Sequence, residues 1–456
     1  MPSRHDAPPP ATRTEHDAWG PIEVPQDALW GSQTQRAIEH FAISTERMPP
    51  ELIAALALVK RCAAQVNAAL GGLDAPIAEA IVHAADSVAS GQWAEAFPLA
   101  IWQSGSGTQS NMNMNEVLAR LASRPGHEVH PNDHVNHGQS SNDVIPTAIH
   151  VAALSGCQHA LLPALRGLRE AIVTQAAGVQ DVMKTGRTHL QAALPLTLAQ
   201  EMGAWVAQLQ QAERAIGQAM DAACGLAIGG TAVGGGDNTH PQFGERVAQA
   251  LGEVMGLPLR RADNPFAAQA AHDALVQLHA ALRVLAVALR KIADDVRWMG
   301  SPWLQELRLP ANEPGSSIMP GKVNPTQCES LLMVCAQVMG NDVTIGFAAT
   351  LGQFQMHAAK PVLALNLLQS LRLLADGMRS FTAHCVRGMQ ADREHIAAAL
   401  SPAMLQATRL SQHIGYEKAA VLYKESQAAG RPLREWALEK GAMSAEQFDE
   451  WTAPGA

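Results

Sequence analysis

Three stretches of this chain concentrate small hydroxyl and amide side chains that a hydrophobic core does not want. The first runs Ser104-Gly-Ser-Gly-Thr-Gln-Ser-Asn-Met-Asn-Met-Asn-Glu116. The second extends from His130-Pro-Asn-Asp133 through Gln139-Ser-Ser-Asn-Asp143, and the third is Gly315-Ser-Ser-Ile-Met-Pro-Gly-Lys-Val-Asn-Pro325. Each leads into an apolar run that reads as helix. Ser, Thr, Asn and Asp ahead of a helix cap its free N–H groups, and the same N–H groups together with hydroxyl donors can hold a carboxylate. Capping alone accounts for any one stretch. Three of them, one carrying Lys322, point to a pocket for a small anion.

Gly315 and Gly321 bracket two adjacent serines, a composition suited to a mobile lid that brings a hydroxyl onto a bound substrate, and Lys322 adds a fixed positive charge. In Gly186-Arg-Thr-His-Leu190, His189 stands just before Pro195 and a long helix, where it reads as a general base on a loop or as a structural histidine. The glycine-rich run Gly229–Gly236 lacks the Lys-Ser/Thr ending of a phosphate loop and follows no strand, so it reads as a helix-terminating turn. The histidines at 127, 130, 134 and 137 do not suggest a metal site. Pro131, Asn132 and Gly138 break the helix that would align them, and no thiolate or carboxylate spacing completes the set.

The elements that must position these stretches are helices. Leu275, Leu278, Leu282, Leu285, Leu289, Ile292 and Val296 alternate steps of three and four, a heptad seam. Leu161, Leu165, Leu168 and Ile172 keep one apolar face, as do Leu198, Met202, Trp205 and Leu209. Segments 325–348 and 361–389 add two more long apolar helices, the second starting at Pro361. The run Leu331–Leu351 is apolar enough to raise a membrane question, but Gln337, Asn341 and Asp342 interrupt it, and a buried bundle helix is the better reading. Strand signals are sparse, with two Tyr in the chain and alternation limited to short runs such as Ile22–Val24. The expected fold is all-α, a long central helical bundle with smaller N- and C-terminal helical domains. Its expected parts are a disordered arm over 1–16, an N-terminal domain over 17–140, the bundle over 141–395 and a small helical domain over 396–456. Such long seams exceed what one subunit needs to cover itself, so a homo-oligomer is expected.

A length of 456 residues with 47% hydrophobic content supports a sizeable core, and a formal charge of −9 argues against nucleic-acid or membrane-surface partners, which need a basic face. Six scattered cysteines without a C-x-x-C pair suggest reduced thiols in a cytoplasmic protein, and the first 16 residues lack the apolar segment of a secretory signal.

The chain resembles the class II fumarases, within the superfamily of aspartases, argininosuccinate lyases and fumarases. The run Gly315–Pro325 resembles the superfamily signature, while Thr326-Gln-Cys-Glu329 and Thr108–Glu116 are similar to the fumarase branch. The resemblance implies an all-α homotetramer, active sites assembled from three subunits, and reversible hydration of fumarate to malate without metal or organic cofactor. A base would take a proton from C3 of malate, leaving an aci-carboxylate from which hydroxide departs with acid assistance. Matched position by position, Ser316 is the implied base, Lys322 supports its alkoxide, and His189 with Glu329 handles the water. Ser106, Thr108, Ser140, Ser141, Asn142, Thr188 and Asn324 would hold substrate carboxylates. His130, Asn132 and Asp133 match a turn that in relatives forms a second dicarboxylate site, with a plain helix cap as the alternative.

The chain departs from the family pattern over Met299–Leu309, where the usual Gly-Pro-Arg-Cys-Gly is missing, and at Gln355–Ala358, Gly138, Ala192 and Ala267. None of these positions carries a proposed catalytic group. They leave open a substituted fumarate as substrate, beside the further alternatives of an ammonia lyase and an inactive structural paralogue.

Overall fold

The computed structural model describes residues 11–400 and 402–453. Long helices carry the chain: α1 (Pro50–Ala69), α2 (Thr108–Ala122), α3 (Ser141–Gly156), α4 (Leu198–Ala223), α5 (Asp273–Met299), α6 (Thr326–Ala349) and α7 (Lys360–His384). The heptad seam read from sequence is the buried edge of α5, with every one of its seven members at most 1% exposed. Leu165, Leu168 and Ile172, and Leu198, Trp205 and Leu209, are likewise fully buried. Removing each such side chain from water contributes about 1.5–3 kcal/mol, which is why spacing alone dictates these elements. Strands occur among the described residues only as two-stranded pairs, so the all-α expectation holds.

One pair corrects the expected N-terminal arm. Residues 1–10 of that arm lie outside the described residues, but Thr12–Asp17 forms β1 and pairs antiparallel with β2 (Gly20–Pro25). Arg13 ties the pair down by donating to the carbonyls of Pro25, Gln26 and Trp30 at 2.7, 2.8 and 2.7 Å. A second pair, β3 (Met183–Thr188) and β4 (Gln191–Thr197), stands where a loop is expected around His189.

Contacts divide the chain into two compact units that cut across the expected boundaries at 140 and 395. The first combines residues up to 165 with 211–287 and 333–377. The second combines 166–210, 288–332 and 378 onward. In the first unit, α1 presents Leu52, Leu56, Val59 and Ala63 to the core. In the second, four short helices over 402–452 enclose a local core of Leu410, Leu422, Leu433, Ala437 and Phe448.

Three helical stretches among the described residues, Pro50–Ala69, Ser141–Ala177 and Thr326–Ala349, are long and apolar enough to cross a membrane by length and composition. The first two have 61% of their apolar window buried within the chain, and α6 only 33%. Met333, Val343 and Phe347 of α6 are 67%, 60% and 74% exposed, leaving an apolar stripe uncovered by the single chain.

Candidate active site

In the first unit, the residues ahead of α2 are shaped by a close backbone approach. A side chain on Gly105 would put its Cβ 1.7 Å from the carbonyl oxygen of Ala358, and the Gly105 carbonyl accepts the N–H of Lys360 at 2.9 Å. Only glycine fits there. The chain then turns through Gly107, at φ +76°, into α2. Within this bend Ser104, Ser106 and Thr108 form a hydroxyl relay, with oxygen separations of 2.8 and 2.7 Å. Glu116, at the end of the first stretch, is structural. Glu116 accepts the N–H groups of Gly31, Gln33 and Thr34 at 2.9, 2.9 and 3.1 Å and so caps the helix Ser32–His40.

The second stretch opens α3 through a capping box, in which the Ser140 hydroxyl accepts helical N–H groups while Asp143 accepts the N–H of Ser140 at 2.9 Å. The other oxygen of Asp143 accepts the N–H groups of Gly229 and Thr231, each at 3.0 Å. Asn142 donates to the carbonyl of Ala232 at 2.8 Å. The glycine-rich run is therefore a cradle for the start of α3. It is not the terminator of α4, which ends at Ala223 ahead of a two-residue strand. Burial raises the Asp143 carboxyl to about 6 in spite of its three N–H donors, and burial lowers the Lys60 ammonium to about 7.

The turn Pro131–Val135 carries the residues expected to form a second site. Nδ1 of His130 accepts the N–H of Asp133 at 3.1 Å, so it holds no proton there, and its 3.1 Å approach to the Asp133 carboxylate is not an ion pair of that nitrogen. His130 is itself the cap, and Asn132 and Asp133 are exposed. Among the described residues, no group of three or more His, Cys, Asp or Glu is placed to hold a metal ion.

Also in the first unit, His272 and His357 meet edge to face with ring centroids 4.6 Å apart, and both nitrogens of His272 are buried without a partner. Burial first, then the neighbouring His357 and Lys360, drives the His272 imidazole well below its ordinary range. The folded chain then binds fewer protons here than the unfolded chain, whose imidazole titrates at about 6.5, so the site's stability is full above that pH and is lost progressively as pH falls below it toward the depressed folded range. His272→Leu is expected to shrink the loss of melting temperature between neutral and mildly acidic buffer. An unchanged acid slope in paired thermal scans would remove His272 as its source.

In the second unit, β3 and β4 pair Thr188 with Gln191, leaving His189 and Leu190 as a two-residue hairpin turn. Both are left-handed, at φ +55° and +58°. Such turns favour Asn and Gly, and a non-glycine residue there costs about 1–2 kcal/mol. The imidazole is thereby projected from the tip of the hairpin, exposed together with Thr188. The hairpin base is pinned by buried Glu306, whose oxygens lie 2.6 Å from Arg187 Nη1 and 2.7 Å from Lys184 Nζ. The second approach is off the hydrogen-bonding direction and acts as an ion pair. Lys184 also meets Glu201.

The third stretch is closed on itself. Gly315 N–H donates to the Lys322 carbonyl at 3.0 Å, and Asn324 Nδ2 donates to the Gly315 carbonyl at 2.6 Å. A Cβ on Gly315 would stand 2.3 Å from the Lys322 oxygen. Inside the loop, Ser316 Oγ accepts the N–H groups of Ile318 and Met319 at 3.2 and 3.0 Å. Lys322 is exposed. Glu329, in the first turn of α6, lies 3.7 Å from Arg297. Among the described residues no hydrogen bond joins His189 to Glu329, so the expected pair is not made within one chain.

Ser106, Thr108, Ser140, Ser141 and Asn142 thus belong to the first unit, and Thr188, His189, Ser316, Lys322, Asn324 and Glu329 to the second. Sequence reasoning missed Lys60 and Glu306. A lysine on the apolar seam of α1 was the available signal for the first. Glu306 lies in the segment that departs from the family pattern and carried no signal of its own.

Residues 20–340 match the family described as Lyase, and residues 407–456 match the family described as Fumarase C C-terminus. The chain is 55% identical to the class II fumarate hydratase of Chromobacterium violaceum, with 97% of this chain and 98% of that one covered. It is 53% identical to the class II fumarate hydratase of Bordetella parapertussis over the same shares. Among solved structures it is similar to the class II fumarase of Schistosoma mansoni, with a TM-score of 0.95 at 42% identity, covering 97% of this chain and 98% of that one.

Proposed function

The chain belongs to the class II fumarate hydratases and catalyses the reversible hydration of fumarate to malate, and we propose that it does so with the residues named above in the following roles. Ser316 takes the proton from C3 of malate. The observation that carries this reading is the pair of backbone N–H groups aimed at Ser316 Oγ, which would stabilise an alkoxide, each preorganised donor contributing about 2.7–4 kcal/mol. The Lys322 ammonium adds to the same field. Loss of the proton leaves a doubly charged aci-carboxylate, and its charge is held by hydroxyl and amide donors from Ser106, Thr108, Ser140, Ser141, Asn142, Thr188 and Asn324. His189 protonates the departing hydroxide, and Glu329 orients the imidazole. Neither metal nor organic cofactor enters the scheme. His130, Asn132 and Asp133 would form a second dicarboxylate site.

The reading includes a homotetramer whose active sites are shared between subunits. The apolar stripe on α6 supports assembly, because a face of that kind gains most by meeting other copies. A cytoplasmic location fits six free, buried cysteines, and nothing in the chain's charge calls for nucleic acid or membrane as partner.

Ultraviolet absorbance of fumarate with purified, metal-stripped protein tests the reaction. Absorbance is expected to fall in water alone with malate formed, and a fall only after ammonia is added would transfer the chemistry to an ammonia lyase. Mixing two inactive variants, His189→Asn and Ser141→Ala with Thr108→Ala, tests the sharing of sites. Hybrids refolded together should regain part of the activity, and a mixture as inactive as its parents would rule out sites built from several subunits.

A further inference from the structure

Lys60 is fully buried on α1, and among the described residues its ammonium makes no hydrogen bond to a carboxylate. It donates instead to two side-chain amide oxygens, Asn136 Oδ1 at 2.9 Å and Gln139 Oε1 at 3.0 Å. Burying a cation on neutral acceptors is costly, and an apolar residue would pack a helix seam more cheaply. Its consequence is directional. A cation admits only the oxygen end of each amide, so Lys60, together with the Gln139 carbonyl that accepts Asn136 Nδ2 at 3.2 Å, holds Asn136 with Oδ1 inward. The same Oδ1 accepts Asn111 Nδ2 at 3.1 Å, which fixes the Asn111 amide in turn, and Asn111 Nδ2 also reaches Ser141 Oγ at 3.3 Å. Ser141 Oγ therefore receives a proton from behind, and its own O–H is free to point away from Asn111.

We propose that Lys60 is a positioning residue for the hydratase: through Asn136 and Asn111 it holds the Ser141 hydroxyl as a hydrogen-bond donor toward the substrate carboxylate. This rests on the reading that Ser141 contacts substrate. Burial lowers the Lys60 ammonium, and Asp143, in the first turn of α3 beside Ser141, opposes that shift by attracting its charge. Without the cation, Asn136 can flip, Asn111 can offer its oxygen to Ser141, and the hydroxyl proton turns inward, taking one donor from the carboxylate.

The test is a mutant cycle on the full-length enzyme. Lys60→Met, close in shape but uncharged, is expected to raise KM for malate about tenfold with kcat held within about threefold, the loss of one hydrogen bond to a charged group. A merely structural role would instead lower the active fraction, reducing kcat at constant KM, and that result overturns the proposal. In a Ser141→Ala background, Lys60→Met should add nothing to KM; additive effects would show that Lys60 does not act through Ser141. Ser141→Ala with unchanged KM would defeat the reading of Ser141 as a substrate contact, a failure distinct from that of the relay. Should Lys60→Met fail to fold, Asn111→Leu breaks the relay with the cation left in place. It must show the same rise in KM and the same absence of further effect beside Ser141→Ala, or the proposal falls.

Discussion

Ser316→Ala is expected to lower kcat for malate dehydration by roughly a thousandfold or more while the fold persists, the scale seen when a preorganised charge-stabilising element is lost. The removed oxygen is the acceptor of the Ile318 and Met319 N–H groups, so the variant loses the proposed base together with the point on which both donors converge. Little stability should go with it. Ser316 is only half-buried, in a loop still closed by the Gly315–Lys322 and Asn324–Gly315 hydrogen bonds. Exchange of the malate C3 proton with deuterated solvent, followed by NMR, isolates the step assigned to Ser316. Wild-type exchange in the variant would return the serine to the role of a turn cap.

The largest stability effect is expected at Glu306. Glu306→Leu leaves the buried Lys184 ammonium with Glu201 alone and removes the carboxylate beside Arg187, and breaking a buried pair from one side costs about 3–5 kcal/mol. The retained Glu201 contact puts the expected value near the lower end. The same change frees the base of the hairpin whose tip is His189, so kcat should fall further than a loss of folded protein explains. Thermal unfolding at matched concentration and kcat per folded chain measure the two parts separately. A variant of wild-type thermal stability would mean that the cluster is dispensable, and one that is less stable but turns over normally would detach the hairpin base from the imidazole.

The helices were legible because burial selects steps of three and four, and Leu275 through Val296 keep them without a break. The hydroxyl-rich stretches were legible because their residue types suit neither core nor helix interior. The hairpin carrying His189 was not, since its strand buries Lys184 and the alternation that announces a strand assumes polar residues outward. What makes that orientation tolerable is Glu306, more than a hundred residues away in sequence. The proposed relay behind Ser141 was half legible: Lys60 occupies a position on the apolar seam of α1, a pattern that marks a buried polar group without saying what it holds. The division into two units follows from contacts between distant segments and has no local signature at all.

That division bears on how the chain can be made. The first unit needs residues 333–377 as well as the segment before 165, so during synthesis it cannot close until residue 377 of 456 has left the ribosome. Folding domain by domain as the chain emerges is the usual protection of a long polypeptide, and contacts between remote segments form slowly. Here the nascent chain must carry α1 and α3, two of its most apolar helices, without their full complement of neighbours for most of translation. The hydroxyl-rich bend at Gly105 waits as well, for it is completed by the backbone of Ala358 and Lys360, among the late arrivals.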